Sequence, residues 1–385
     1  MKKIGLSVCY DTKNFGSQLQ VLATVKKIEE LGYQTGIIRY KKTMSPRFVL
    51  QSLPRVLNSY FIRNKITHMN RRRAIRQHPE IAEKVRIRDR RFRRFVDENF
   101  HNLSEPYAGW NQLVKKSAQD FDAFLCGSDQ LWLPSNLGSH FYTLEYAPDD
   151  KPKIAYATSF GVSQIPWYQK RRTAAYLNRF QSLSTREVAG SRMIRELTQR
   201  EAPVVCDPTL LFDAAEWDEM IPRRAVIDEP YIFAYFLGTN PVHREAAEEL
   251  RKQTGLRIVT CPFLDNYVES DRQFGDVQLF DMDSADFVNL IRNAAYVLTD
   301  SFHGSVFSIL YHKQFITFNR FLEGSNSRNS RIDSLCAILG LGERRYDGDI
   351  TVIDREIAYE RVDERIAGLR ESSIDYLKGA LDAVE

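Results

Sequence analysis

Cysteine is scarce in this chain of 385 residues, which contains only five, and no two of them form a CxxC pair. Disulfide-rich secreted domains and zinc ribbons both need closely spaced cysteines, so both classes are excluded. Cys9 and Cys126 lie in or beside strand-like apolar runs, where a cysteine is usually a small buried residue. We therefore predict a protein of a reducing compartment, without a structural metal and without a cofactor.

Long apolar runs are also missing. No stretch approaches the run of about 18 uncharged apolar residues that a membrane-spanning helix requires. The N-terminal sequence MKKIGLSVCYDTKN has two lysines but only a short apolar run, unlike a signal peptide. The sequence thus predicts a cytoplasmic protein that is neither exported nor membrane-spanning.

The length and hydrophobic content predict two domains. Hydrophobic residues make up 43% of the chain, and one core rarely grows beyond about 250–300 residues. Strand-like and helix-like segments alternate, beginning with KKIGLSVCY, SQLQVLATVKKIEELG and TGIIRY, and a second series starts near EPYIFAYFLG. This alternation is typical of an α/β fold with a doubly wound parallel sheet in each half.

We predict four parts of the chain. They are an N-terminal domain at 1–205 with a basic helical insertion at about 45–100, a crossover linker at 206–228, a C-terminal domain at 229–350 and a helical tail at 351–385.

Polar and glycine-rich stretches follow several predicted strands. They read DTKNFGSQLQ, GSDQLW, SFG and DSFHG. Ligands of doubly wound sheets bind beyond the carboxyl ends of the strands, near helix N-termini. Taken singly, Asn14 and Asp129 could equally be part of a turn or a helix cap. Together, these stretches predict a site in a cleft between the two halves.

Seven ordered motifs give the chain a family resemblance: NFGSQLQ, GSDQLW, SFG, TREVAG, DPTLLF, TDSFHGSVFSIL and SRIDSLCAILGLGERR. In this order they resemble the polysaccharide pyruvyl transferase family. The resemblance implies two Rossmann-like domains facing across a cleft, as in GT-B glycosyltransferases. It also implies transfer of the enolpyruvyl carbons of phosphoenolpyruvate to a bacterial polysaccharide sugar or its lipid-linked repeat unit, forming a cyclic ketal and releasing phosphate.

The donor residues are expected mainly in the C-terminal half. By resemblance His303 is the acid/base, and histidine suits proton transfer in both directions near neutral pH. A small carboxylate and phosphate ester needs guanidinium groups and helix N-terminal amides. The expected donor-binding residues are Arg186, Ser301, Gly304, Ser305, Arg320 and Arg331.

The acceptor sugar is expected on the N-terminal half. Amides and carboxylates there suit hydroxyl groups, and the indole of Trp132 suits the apolar face of a sugar ring, although Trp132 could equally belong to the core. The expected acceptor-binding residues are Asn14, Gly16, Ser17, Gln18, Ser128, Asp129, Gln130 and Trp132.

One basic segment stands apart from these motifs. The segment from residue 47 to residue 95 contains 15 Lys and Arg residues but only three acidic residues. Its net charge is therefore +12, in a chain whose total is +4. One interpretation is purely structural: a helix that packs on the core and exposes its basic face to solvent. The sharper hypothesis is peripheral contact with the anionic inner face of the membrane, where a polyprenyl-diphosphate-linked acceptor would lie. It rests on the cations Arg86, Arg90, Arg91 and Arg94.

Two other functions stay open on the sequence alone. A glycosyltransferase of the same architecture would use a nucleotide-sugar donor. A non-catalytic polyanion-binding protein would use the basic segment, but RIRDRRFRR has little of the aromatic interleaving of a nucleic-acid platform, so no nucleic-acid partner is expected.

Overall fold

Two parallel five-stranded sheets organise the chain. The computed structural model describes residues 1–43, 62, 66, 69, 77–135, 137, 140–265, 268–320 and 329–384.

The N-terminal sheet has the strand order β2-β1-β5-β6-β7, with every pair parallel. Strands β3 and β4 form a small separate pair. The strands are β1 (Lys3–Ser7), β2 (Gln34–Ile37), β3 (Tyr40–Lys41), β4 (Tyr107–Ala108), β5 (Ala123–Cys126), β6 (Lys153–Ala155) and β7 (Ser182–Leu183). The helices are α1 (Phe15–Glu30), α2 (Pro79–Asn99), α3 (Gly109–Asp120), α4 (Lys170–Leu177) and α5 (Val188–Thr198).

The C-terminal sheet has the order β10-β9-β8-β11-β12 and is also entirely parallel. Helix α6 (Ala214–Met220) lies in the connection between the sheets. The remaining elements are β8 (Tyr231–Tyr235), α7 (Pro241–Thr254), β9 (Arg257–Thr260), β10 (Val277–Gln278), α8 (Ser284–Asn293), β11 (Tyr296–Thr299), α9 (Phe302–Leu310), β12 (Gln314–Thr317), α10 (Ser330–Leu339) and α11 (Tyr359–Asp382).

Local sequence signals set several helix ends. The side chain of Asn14 caps α1 by accepting a hydrogen bond from the Ser17 amide. Helix α7 begins with the Asn240 cap and Pro241, and it ends at Gly255, whose φ of 71° suits glycine. These ends agree with the predicted segments.

The strand order places the loops that matter for function. In the first sheet β1 lies between β2 and β5, and in the second β8 lies between β9 and β11. The chain therefore leaves neighbouring strands in opposite directions at these points, which opens a crevice at their carboxyl ends. The predicted fold class, two doubly wound α/β domains, is confirmed.

The two sheets are joined by a continuous apolar contact. Phe15 on α1 stacks on Phe92 of α2 at 5.0 Å and on Phe287 of α8 at 5.1 Å between ring centroids. Helix α11, predicted only as a tail, returns to the first half, where Tyr376 donates a hydrogen bond to the Ala155 carbonyl. Both contacts tie the first sheet to elements from later in the chain.

Helix α2 belongs to the predicted basic insertion. Between residues 45 and 76 of this insertion, the structure describes only residues 62, 66 and 69. Arg91 does not face solvent as the membrane hypothesis required: it pairs with Asp283 at 2.9 Å and Asp286 at 2.8 Å on the C-terminal half. Arg86 and Arg94 are exposed and pair with Glu83 and Glu98. Arg90 also reaches Glu83. The inclusion of Arg91 in that patch was therefore wrong.

Among the described helices, none is both long enough and apolar enough to cross a bilayer.

Candidate active site between the two sheets

A cavity of about 300 Å³ lies where the loops of the two halves meet. The first half contributes the loops after β1 and β5, and the second half contributes the loops after β8, β11 and β12 together with the start of α10. The cavity is lined by Cys9, Thr12, Asn14, Ser17, Asp129, Gln130, Leu131, Tyr142, Leu237, Ser301, Phe302, His303, Arg320 and Arg331.

His303 lies in the first turn of α9. Ser301 caps this helix, its hydroxyl oxygen accepting the Gly304 amide at 3.3 Å. The imidazole packs on Gly16 of the opposite half so closely that a Cβ added there would lie 2.0 Å from His303 Nδ1. Gly16 therefore serves the contact between the halves, because any side chain at this position would displace the ring.

Asp207, which the sequence analysis missed, stands behind His303. Its Oδ1 lies 3.5 Å from His303 Nε2, and it also accepts hydrogen bonds from the amide and hydroxyl of Thr209 at 3.1 and 2.8 Å. Burial raises the pKa of this carboxyl, but His303 and Arg186 outweigh it and lower the pKa below its usual value. A carboxylate at this position can orient the imidazole.

Asp129 forms part of the opposite wall. Its Oδ2 accepts a hydrogen bond from the Ser17 hydroxyl at 2.6 Å, and its Oδ1 lies 3.3 Å from Arg186 Nη2. Its φ of 84° is unusual for a residue other than glycine. Burial raises its pKa, yet Arg186 and His303 together lower it to about 2. Asp129 is therefore a carboxylate at neutral pH, held in a strained backbone position at the cavity edge.

Arg186 lies behind this wall and does not line the cavity. Its guanidinium reaches Asp207 at 2.5 Å and the Ser128 hydroxyl at 3.2 Å, and its Cζ stacks on the Phe302 ring at 4.6 Å. Burial lowers the pKa of Arg186, but Asp207 and Asp129 raise it by more, so its pKa lies above the usual value. The structure therefore does not bring Arg186 to the cavity, because its donors are committed to carboxylates, and direct donor binding by Arg186 stays a prediction.

Arg331 is the contrasting cation. Only 7% of it is exposed, and no carboxylate of the described residues lies within ion-pair distance of it. The Gln130 side-chain amide is oriented with its oxygen towards Arg331. This oxygen accepts hydrogen bonds from Arg331 Nε at 3.2 Å and Nη2 at 3.0 Å. Burial, followed by the charges of Arg186 and Arg320, lowers the pKa of Arg331 to about 9. This cationic site is suited to an anion.

Arg320 also lines the cavity, and Asp300, another residue that we missed, holds it there. Arg320 Nη2 donates to the Asp300 carbonyl at 2.9 Å, and its Nε lies 3.6 Å from Asp300 Oδ1. The same carboxylate accepts the amides of Leu237 and Gly238 at 2.8 and 2.7 Å. Asp300 thus joins the loops after β8 and β11 and fixes the second guanidinium.

The structure brings eight of the predicted site residues to the cavity and moves seven away. Those at the cavity are Asn14, Ser17, Asp129, Gln130, Ser301, His303, Arg320 and Arg331.

Three predicted acceptor residues are buried in other roles. Trp132 is 0% exposed, its indole donates to the Tyr142 carbonyl at 3.0 Å, and its ring packs in the core, so it offers no face to a sugar. Gln18 is fully buried between the halves, where it donates to the Phe92 carbonyl and accepts from the Ser284 hydroxyl. Ser128 donates to Asp207 at 2.8 Å. The structure brings none of these three to the cavity, nor Gly16, which contacts His303 instead.

Two predicted phosphate-binding groups are also occupied. The Gly304 amide is taken by the Ser301 hydroxyl. Ser305 is fully buried, its amide bonds to the Ser301 carbonyl, and its hydroxyl contacts the Thr317 hydroxyl at 3.0 Å. Helix packing therefore uses both residues, and neither reaches the cavity.

Other cavity residues had no individual assignment. Phe302 of the cavity lies inside the motif TDSFHGSVFSIL, and Asp207, behind the cavity, lies inside DPTLLF, so those motifs were a signal for them. Tyr142 and Leu237 reach the cavity from loops that carry no motif. Among the described residues, no group of three or more His, Cys, Asp or Glu side chains could hold a metal ion.

The fold defines the class first. Two solved structures are similar in fold over nearly the whole chain, and this likeness agrees with the GT-B architecture expected from the sequence. One is from Listeria monocytogenes and is described as a UDP-N-acetylglucosamine 2-epimerase, with 8% identity, a TM-score of 0.50, and coverage of 98% of this chain and 90% of that one. The other is the UDP-GlcNAc 2-epimerase of Methanocaldococcus jannaschii in complex with UDP-GlcNAc and UDP, with 10% identity, a TM-score of 0.50, and coverage of 95% and 93%.

The sequence then defines the family. The model of the polysaccharide pyruvyl transferase family matches residues 14–320, and the chain belongs to this family. Comparison with curated protein sequences gives no significant match. The resemblance inferred from the seven motifs is confirmed, and the chain is a member of a transferase family.

Proposed function

We propose that this protein transfers pyruvate from phosphoenolpyruvate to two hydroxyl groups of a sugar, forming a cyclic ketal and releasing phosphate. The observation that carries the proposal is the buried Arg331 guanidinium. It has no carboxylate partner among the described residues, and it shares one cavity with His303 and its supporting carboxylate Asp207. An anionic substrate would neutralise the charge of Arg331, and it would lie beside His303, which can transfer a proton to it.

The donor is assigned to the C-terminal wall. Arg320 and Arg331 present two guanidinium groups to the cavity, and planar forks of this kind suit carboxylate and phosphate oxygens. The positive end of α9 points to the same region and favours a phosphate dianion. Electrostatics therefore support a small dianionic or trianionic donor at this wall.

His303 is assigned the proton transfers. Protonation of the methylene carbon of the donor makes C2 electrophilic, one sugar hydroxyl adds to C2 and loses its proton, and a second hydroxyl displaces the phosphate. Each C–O bond formed releases one proton, and the methylene carbon and the departing phosphate take them up. Asp207 is a positioning residue here, since it contacts the imidazole and not the cavity.

The acceptor is assigned to the N-terminal wall. Asn14, Ser17, Asp129 and Gln130 line it, and Thr12 and Tyr142 add two further hydroxyl groups. Amide, hydroxyl and carboxylate groups match the donors and acceptors of sugar hydroxyls. The acceptor would be a sugar of a polysaccharide or of its lipid-linked repeat unit.

The proposal is tested by phosphate release. The protein is incubated with phosphoenolpyruvate and a lipid extract of the source cell, and then with the extract after mild acid has removed lipid-linked sugars. We expect extract-dependent phosphate release and a product with the mass of one added pyruvyl ketal. Phosphate release without a ketal-bearing product would contradict transfer.

Donor identity is tested separately by thermal shift. A ligand that binds only the folded state raises its stability, so phosphoenolpyruvate should raise the melting temperature in a concentration-dependent way. UDP-GlcNAc is the matched comparison, because a glycosyltransferase on this architecture would bind a nucleotide sugar. Stabilisation by UDP-GlcNAc alone would overturn the proposed donor.

A further inference from the structure

Trp167 is the one exposed aromatic side chain in the part of the chain that the structure describes. The indole is 84% exposed, whereas Trp132 and Trp217 are fully buried and Trp110 is half-buried. Single exposed apolar residues are common on protein surfaces, but tryptophan carries the largest apolar area and is seldom left in water without a function. The position of this residue therefore needs an explanation.

The fold holds Trp167 outward. Ile165, two residues earlier, is buried in the N-terminal core, and Gln169, two residues later, donates its side-chain amide to the Pro134 carbonyl at 3.2 Å. Between them the backbone forms a 3-10 turn, closed by a hydrogen bond from the Gln169 amide to the Pro166 carbonyl at 2.8 Å. Because both sides of the turn are anchored, the indole is presented on a fixed support.

Two cations share this surface. Lys170 and Arg171 follow Trp167 by three and four residues, about one helical turn, and both are exposed. Neither forms an ion pair with a described residue, and α4, which they begin, contains no acidic residue. Arg172 differs, because it contacts His140. The surface formed by Trp167, Lys170 and Arg171 is named the Trp167 edge below.

Helix stability does not account for these cations. Lys170 and Arg171 occupy the first turn of α4, where the helix dipole favours anions and disfavours cations. Their charge is therefore available to an external anion, and it costs the helix stability in the absence of one.

We propose that the Trp167 edge docks the protein on an anionic lipid bilayer. Indole rings sit preferentially at the level of the lipid headgroups, and adjacent Lys and Arg are attracted to an anionic leaflet. An aromatic anchor one turn from two unpaired cations combines both interactions on one rigid turn. The exposed cations of α2 are the weaker candidate, because three of the four, Arg86, Arg90 and Arg94, contact Glu83 or Glu98.

Vesicle binding of the full chain tests the proposal without an activity assay, so its outcome is independent of the proposed function. Phosphatidylcholine vesicles with and without phosphatidylglycerol are compared by co-sedimentation at low and high salt. We expect binding only to the anionic vesicles, with release by salt. Because two of the other three tryptophans are fully buried, bound vesicles should also reduce acrylamide quenching of the tryptophan fluorescence.

Variants locate the contact. Trp167→Ala and the pair Lys170→Gln, Arg171→Gln should each weaken vesicle binding about tenfold or more, while Trp167→Phe retains part of it. The matched control is Lys115→Gln, Lys116→Gln, which removes the same charge from an exposed pair on α3 and should leave binding unchanged.

Three results of the vesicle experiments would overturn the proposal. They are absence of binding to anionic vesicles at low salt, wild-type binding by both Trp167-edge variants, and loss of binding on neutralising Arg86, Arg90 and Arg94 but not Lys170 and Arg171. Self-association that Trp167→Ala abolishes, without vesicle binding, would assign the edge to a contact between copies and would also overturn it.

Discussion

The two walls of the cavity use buried arginine in opposite ways. Behind the N-terminal wall Arg186 is balanced by Asp207 and Asp129, which raise its pKa. On the C-terminal wall Arg331 forms no ion pair with a described residue, it contacts the neutral Gln130 amide and the Phe302 ring, and burial lowers its pKa to about 9. The same residue type, at similar burial, is therefore part of the framework on one side, and on the other it is a cation without an ion-pair partner among the described residues.

Under the proposed function, this difference in charge would assign one substrate to each wall of the cavity. The N-terminal wall offers amides, hydroxyls and a compensated carboxylate, which suit a neutral sugar. The C-terminal wall offers the guanidinium groups of Arg320, which Asp300 holds, and of Arg331, which has no ion-pair partner among the described residues, and both suit an anion. His303 lies between them, where it can transfer a proton between the two bound molecules.

The largest effect is expected at His303, where the two walls meet. His303→Asn should lower ketal formation by about 10²–10⁴-fold, because no other cavity group would replace the proton transfer at neutral pH. Turnover is measured by phosphate release, and thermal-shift binding of phosphoenolpyruvate serves as the folding control. Full turnover by a folded variant would remove His303 from the mechanism.

The next effect tests the framework arginine. Arg186→Met should destabilise the fold by about 3–5 kcal/mol, because the buried Asp207 and the half-buried Asp129 both lose their contact with the guanidinium. The free energy of unfolding is measured by urea denaturation. The double variant Arg186→Met, Asp207→Asn should recover part of the lost stability. If Arg186→Met is instead as stable as the wild type and fails only in donor binding, Arg186 is a ligand-binding cation like Arg331 and not part of the framework.

Arg331 should respond to substitution in the opposite way. Arg331→Met removes a buried, uncompensated cation, so the free energy of unfolding without ligand should stay unchanged or rise by about 1–4 kcal/mol. The same variant should lose the thermal stabilisation that phosphoenolpyruvate gives the wild type. Retention of that stabilisation would mean that the anion binds elsewhere.

The smallest effect concerns pH. The folded pKa of Asp129, about 2, lies below the ordinary value of 3.8, so the carboxylate stabilises the fold above about pH 4 and this contribution is lost as the pH falls towards 2. Asp129→Asn should therefore be less stable than the wild type at pH 6 by up to about 2 kcal/mol, with a difference that shrinks between pH 4 and 2. A difference independent of pH would show that the charge of Asp129 is not what stabilises the wall.

Local sequence patterns predicted the strands, the helices and the site loops well, because each depends on near neighbours. The Asn14 and Ser301 caps and the Gly255 helix end follow from short-range hydrogen bonding and backbone freedom. The predicted roles failed where burial decided the matter. Trp132 and Gln18 have the chemistry of sugar recognition, but the packing of the core and of the interface between the halves encloses them.

The sequence by itself determined the α/β fold class, the family and the placement of His303 at a helix start beyond a strand, since periodicity, motif order and capping are local properties. Only the tertiary structure decided that Asp207 supports His303, that Arg186 is compensated and that Arg331 is not. Those distinctions depend on the carboxylates within a few ångströms of each cation. The pairs concerned are separated by 21 to 96 positions, and they reach that distance only when both sheets have folded and packed together.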